Sequence, residues 1–137
     1  MVRTSYADLT IAIIENSTCL KEFVTAETDW SASDTARLMS ALENGPSLQV
    51  YEHLHLNHLN FTEDDTCIAL AELLAAATNL TKLMIDPGKC IGRKFTISVT
   101  NASEMGEPGL VKITDKNTKL VYTCETKRTK RLAINEK

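Results

Sequence analysis

One spacing constrains this chain more than any other feature. Two anchors four residues apart, followed six residues later by a third, occur three times. The sets are Thr10, Ile14 and Leu20; Leu38, Leu42 and Leu48; and Leu70, Leu74 and Leu80, which lie 28 and then 32 residues apart. The first is the loosest, with Thr10 in an anchor slot and Leu9 beside it. Anchors at i and i+4 mark one face of a short helix. A small polar turn follows each (NST, NGP or ATN), and the pattern then changes to alternation: FVTA from Phe23, LHLN from Leu54 and LMID from Leu83. Period two predicts a strand with one buried face. Seven residues after each strand's first apolar residue comes another, at Trp30, Phe61 and Cys90. A helix–turn–strand unit this short cannot bury its apolar face alone, so neighbouring units must stack.

Units of this length and order resemble the leucine-rich repeats of the ribonuclease-inhibitor type over residues 9–90. The third copy, ALAELLAAATNLTKLMID, is also similar to the helical runs of tropomodulin-like repeats. The resemblance implies an α/β fold: a short leucine-rich-repeat solenoid with a parallel sheet. Two departures stand out. The asparagine that usually follows the strand is replaced by Thr28, Leu59 and Gly88, and the second copy carries three extra residues before its strand, around LQVYEHL.

The repeat register bears on the cluster YEHLHLNHLNF at 51–61, where His53, His55 and His58 fall within six positions. With Leu54 and Leu56 facing the core, His53, His55 and Asn57 face the opposite side of the sheet. The equivalent outward slots are Glu22, Val24 and Ala26 in the first strand and Lys82, Met84 and Asp86 in the third. Strands about 4.8 Å apart would join these side chains into one patch. Glu22, Val24, His53, His55, Asn57, Lys82, Met84 and Asp86 are therefore the candidate partner-binding residues. The alternative is a metal-binding protein using His53, His55 and His58, since an H-x-H pair on one strand face can approach a single ion.

Charge is distributed unevenly along the chain. Residues 1–87 hold 13 acidic and 4 basic residues, a net of −9, and residues 88–137 hold 5 acidic and 11 basic, a net of +6. The reversal falls at the turn signal DPGK. Beyond it, FTISV at 95–99 and two β-rich runs near 110–114 and 119–124, joined by TDKNTK, predict strands and a hairpin. The expected organisation is a repeat array over 1–90, a β-rich C-terminal cap or accessory unit over 91–126 with a β-hairpin as cap, and a basic flexible tail over 127–137. Lys127, Arg128, Lys130 and Arg131 in that tail read either as solvated residues or as a nuclear signal.

No motif for phosphate binding, a nucleophile elbow or a zinc protease is present, and no cofactor is expected. The acids of SDT (33–35) and DDT (64–66) occupy equivalent places and suit helix starts. Few aromatics accompany the basic segment, so nucleic-acid binding is not favoured. No run approaches the roughly 20 apolar residues that span a bilayer, and MVRTSYADLTIAIIEN lacks the apolar centre of a signal peptide. Four scattered cysteines without a close pair favour a reducing, cytoplasmic setting; four N-x-S/T sequons, at Asn16, Asn60, Asn79 and Asn101, pull the other way. The expected function is a non-enzymatic protein-binding module whose partner has a basic or mixed surface. Self-association through an uncapped first helix is a further possibility, as is a fragment or subunit of a larger repeat protein.

Overall fold

The computed structural model describes residues 6–25, 30–86 and 94–136. Three helices alternate with three strands: α1 (Tyr6–Asn16), β1 (Glu22–Val24), α2 (Ala32–Asn44), β2 (His53–Asn57), α3 (Asp64–Ala76) and β3 (Lys82–Asp86). Four further strands follow: β4 (Phe95–Thr100), β5 (Gly109–Asp115), β6 (Val121–Thr126) and β7 (Ala133–Glu136). The architecture is mixed α/β. A four-stranded parallel sheet runs in the order β1-β2-β3-β7, and a separate three-stranded antiparallel sheet in the order β4-β5-β6.

The repeated anchors form the spine of the core. Ile14, Leu38, Leu42, Leu70, Leu74 and Leu80 are all fully buried, Thr10 nearly so, and Leu20 and Leu48 pack against them. Burying each Leu or Ile contributes about 1.5–3 kcal/mol. The parallel register places Phe23 opposite Leu54 and Leu54 opposite Leu83, so the inward residues of consecutive units lie in one row. The strand entries repeat as well. The N–H of His53 donates to the Lys21 carbonyl (3.1 Å), that of Lys82 to Glu52 (3.1 Å) and that of Ala133 to Thr81 (2.9 Å). Trp30 and Phe61 are buried as the spacing requires; Ala26, Thr28, Gly88 and Cys90 lie outside the described residues.

The helix starts differ in detail from expectation. Ser31 is the N-cap of α2, its hydroxyl accepting from the Asp34 N–H at 3.0 Å. Glu63 precedes α3 without a side-chain cap, and the Thr66 hydroxyl donates to its carbonyl at 2.6 Å. Asp64 instead accepts from the Tyr122 hydroxyl at 2.6 Å, tying α3 to β6.

Two features differ from the expected C-terminal organisation. The β-rich unit is a three-stranded meander rather than a hairpin alone, and its inward residues Val111 and Ile113 pack with α3 in the main core. In chain order it stands between β3 and the next parallel strand, where the earlier units have a helix. Gly109 starts β5 so close to β4 that a Cβ there would lie 2.1 Å from the Thr100 carbonyl oxygen. Residues 127–136 are also not a free tail. Residues 133–136 form β7, paired along β3, and Arg128 is completely buried. Its guanidinium donates to the carbonyls of Ala77 and Leu80 at the end of α3, and to Lys130 at 3.3 Å. Carbonyls at a helix C-terminus carry partial negative charge and suit a cation. Burial pushes this guanidinium's pKa below its ordinary value. Thr126 completes the anchor, its hydroxyl donating to Ala75 at 2.7 Å and accepting from the Arg128 N–H at 3.1 Å.

Candidate functional site

The helices pack against one side of the parallel sheet, and the alternate side chains of its strands emerge on the other. One row across the strands is Glu22, His53, Lys82 and Ala133; the next is Val24, His55, Met84 and Asn135. Parallel pairing without a register shift produces these rows, because each strand begins at the same place in its unit. Phe23 and Leu54 form part of the floor of a shallow depression of ≈ 160 Å³, rimmed by Glu22, Val24, His53, His55, Lys82 and Met84. Val24 is 61% exposed, an unusual setting for a β-branched apolar side chain. Met84, on the other side of His55 in the same row, is partly exposed and conformationally adaptable.

Across the first row the charges alternate between Glu22 and Lys82, with His53 between them. His53 Nδ1 lies 3.0 Å from Glu22 Oε1. Both side chains are exposed, so the pair orders the surface more than it stabilises the fold. In the second row, His55 Nε2 is buried and has no hydrogen-bond partner among the described residues. An unsatisfied polar atom costs about 1–3 kcal/mol, and a ligand group able to satisfy it recovers that energy.

Two of the sequence assignments require revision. Asn57 has the outward parity but is only 6% exposed. Its Nδ2 donates to the Thr25 carbonyl at 3.0 Å and its N–H to Thr25 Oγ1 at 2.5 Å, while the Thr25 hydroxyl donates to the Asn57 carbonyl at 3.0 Å. Asn57 is thus a latch between the ends of β1 and β2 rather than a contact residue. The Thr25 segment beyond β1 holds it there, and the next residue, His58, takes a left-handed conformation (φ 57) where the strand ends. His58 then bridges neighbouring units through its backbone, donating to Asp86 at 2.7 Å and accepting from the Trp30 N–H at 3.1 Å. Asp86, opposite Asn57, remains partly exposed at the rim. Among the described residues no three His, Cys, Asp or Glu side chains group to hold a metal ion, so the three histidines do not form the alternative site.

Ala133 and Asn135 extend the face and escaped the sequence reading. Their signal was the alternation of Leu132 and Ile134 within RLAINE, obscured by the basic residues before it. Elsewhere, burial and the neighbouring Glu72, Glu43 and Glu125 push the Cys124 thiol up, which holds it protonated at neutral pH and unsuited to nucleophilic work. Glu43 itself is raised by burial and by Glu72. Among the described residues no helix is long and apolar enough to cross a membrane.

Comparison of the chain with protein-family profiles, with curated proteins and with solved structures returns no match.

Proposed function

We propose that this chain is a non-enzymatic protein-binding module, built as a short leucine-rich-repeat array of the ribonuclease-inhibitor type, that holds its partner on the open face of the parallel sheet. The observation that carries the reading is the in-register pair of rows Glu22–His53–Lys82 and Val24–His55–Met84, which sets a mixed-charge row beside one with apolar ends and His55 at its centre, across three strands. Extended peptide or loop segments fit such a surface: apolar side chains settle into the depression, and polar groups meet the charged rim. The unsatisfied His55 nitrogen supplies a further polar contact. Glu22 and Asp86 favour a partner of basic or mixed surface, with association weakened by salt. A cytoplasmic setting accords with the scattered cysteines, of which Cys19 is exposed and Cys67 buried.

The test is quantitative affinity capture from native extract using the wild-type chain and a His53→Ala, His55→Ala, Met84→Ala triple variant whose fold is checked by circular dichroism. The reading expects at least one protein, retained directly and stoichiometrically by the wild type, to be lost with the variant. Identical retention by the two forms would remove the sheet face from consideration.

A further inference from the structure

The three helices form a row whose two ends differ in chemistry. The groove between α1 and α2 is lined by Ile11 and Glu15 of α1 and by Arg37, Ser40 and Ala41 of α2, so the latter three lie on the side of α2 that faces the preceding helix. The anchor register carries that side onto the other helices. Ala41 corresponds to Leu73 in α3 and to Ile13 in α1, each one residue before the second anchor. Leu73 is 0% exposed and Ala41 9%, because a helix covers each; Ile13 is 60% exposed. Leu9 and Tyr6, on the same helix, are likewise about half exposed. This end therefore presents an apolar stripe in the place that neighbouring helices fill elsewhere, beside β1, whose outer edge pairs with no strand among the described residues.

At the opposite end the meander covers α3 with one face and shows its other face outward. That outer face carries Leu110 and Val121, both exposed and separated by the Lys112–Thr123 row, and among the described residues no strand pairs with the outer edge of β7. Glu125, opposite Leu110, is the one acid that alternation places on that outer face among the described residues; the exposed charges of the neighbouring loops are Lys116, Lys119, Lys127, Lys130 and Arg131 against Glu104 and Glu107. The charge along the chain divides in the same direction, since residues 1–87, which include α1 and β1, are net −9 and residues 88–137, which include the meander and β7, net +6.

We propose that the chain associates head to tail with a second copy of itself. The α1–β1 end of one molecule, through Leu9 and Ile13, docks on the outer meander face of the next, through Leu110 and Val121. β1 of one copy runs parallel beside β7 of the other, in the sense that the whole sheet already has. A head-to-head contact would instead bring two acidic ends together, which like-charge repulsion opposes. A heterologous contact of this kind continues into open filaments or closes into rings. The surface is separate from the sheet face assigned to a partner, and neither reading depends on the other.

The experiment is sedimentation of the full chain from micromolar to submillimolar concentration at low and high salt, with two variants of exposed residues, Ile13→Asp (head) and the double variant Leu110→Glu, Val121→Glu (tail). The wild type should self-associate with concentration, and more weakly at high salt because the ends attract by charge. Each variant should be monomeric alone, with its Kd raised roughly tenfold or more. An equimolar mixture should form a 1:1 heterodimer and nothing larger, since only one competent head and one competent tail remain. A monomeric wild type overturns the proposal, as does a tail variant that still dimerises, which would indicate head-to-head pairing. Absence of the heterodimer on mixing overturns it too, and because the wild-type series decides by itself, a variant that fails to fold does not rescue it.

Discussion

Replacing Arg128 with Met tests the account of the C-terminal segment most sharply. Met has comparable length and fills the space, so the change isolates the guanidinium. Two charge-assisted hydrogen bonds to Ala77 and Leu80 disappear, together with the longer one to Lys130 at 3.3 Å. The Ala77 carbonyl still accepts from the Leu80 N–H at 3.1 Å, whereas the Leu80 carbonyl is left without a donor among the described residues. Bonds to charged donors are worth about 1.5–3 kcal/mol each, and an orphaned buried carbonyl costs about 1–3 kcal/mol. Against this, the folded state no longer desolvates a cation that has no carboxylate partner among the described residues, a relief of several kcal/mol. The expected net loss is about 2–3 kcal/mol. It should appear in urea as a lower midpoint at unchanged slope, and on heating as a fall of roughly 5–12 °C. The loss should also be local, with the Ala133 amide, bonded to the Thr81 carbonyl at 2.9 Å, exchanging much faster than amides of β2. If the variant unfolds within about 0.5 kcal/mol of the wild type with its β7 amides still protected, Arg128 is not the anchor described here.

Three other outcomes follow from the packing. Leu73→Ala, at a fully buried position between α2 and α3, should cost about 2–5 kcal/mol in denaturant unfolding, several times the effect of the same change at exposed Leu9. Asn57→Ala should cost about 1–3 kcal/mol by releasing the Thr25 carbonyl, and should leave partner binding by the sheet face intact once the protein is folded, as calorimetry would show. Tyr51 is buried, its hydroxyl has no hydrogen-bond partner among the described residues, and burial pushes its pKa up to about 12. Tyr51→Phe should therefore be neutral or stabilising by up to about 1 kcal/mol. In the wild type the Tyr51 contribution is complete below the free-phenol value of 10.0 and is lost as pH rises from there towards about 12, because only the unfolded chain ionises in that window. A phenolate absorbance titration in which every tyrosine ionises near 10 while the chain is still folded would contradict that burial.

The parallel strands and their register were legible because period-two alternation and unit length act together. Once Phe23, Leu54 and Leu83 are set in equivalent places, the outward rows of the sheet follow without further information. Helix anchors were legible for the same reason, including polar Thr10, whose hydroxyl satisfies itself on the Tyr6 carbonyl at 2.9 Å and so tolerates burial. Asn57 shows where parity misleads, because alternation places its side chain outside but the Thr25 segment past the end of β1 bonds to it and buries it. β7 was obscured by distance as well as by charge. Its unit is lengthened by a whole meander, which breaks the 28- and 32-residue spacing, and cations such as Arg128 are rarely buried, so a run of them reads as solvent-exposed. The exact partners of Arg128 are backbone carbonyls, which no side-chain pattern announces.

The return of β7 to β3 imposes an order on biosynthesis. Arg128 and the carbonyls it holds are separated by 51 and 48 residues, with three antiparallel strands threaded between them. On the ribosome, α1 to β3 can assemble as soon as they emerge, yet β3 must wait with one edge bare and the end of α3 unneutralised while the intervening strands are made. During that interval the nascent chain exposes an apolar flank of α3 that Val111 and Ile113 later cover. Release before residue 136 would leave a species competent in its first half and adhesive in its second, the form a chaperone would be expected to meet.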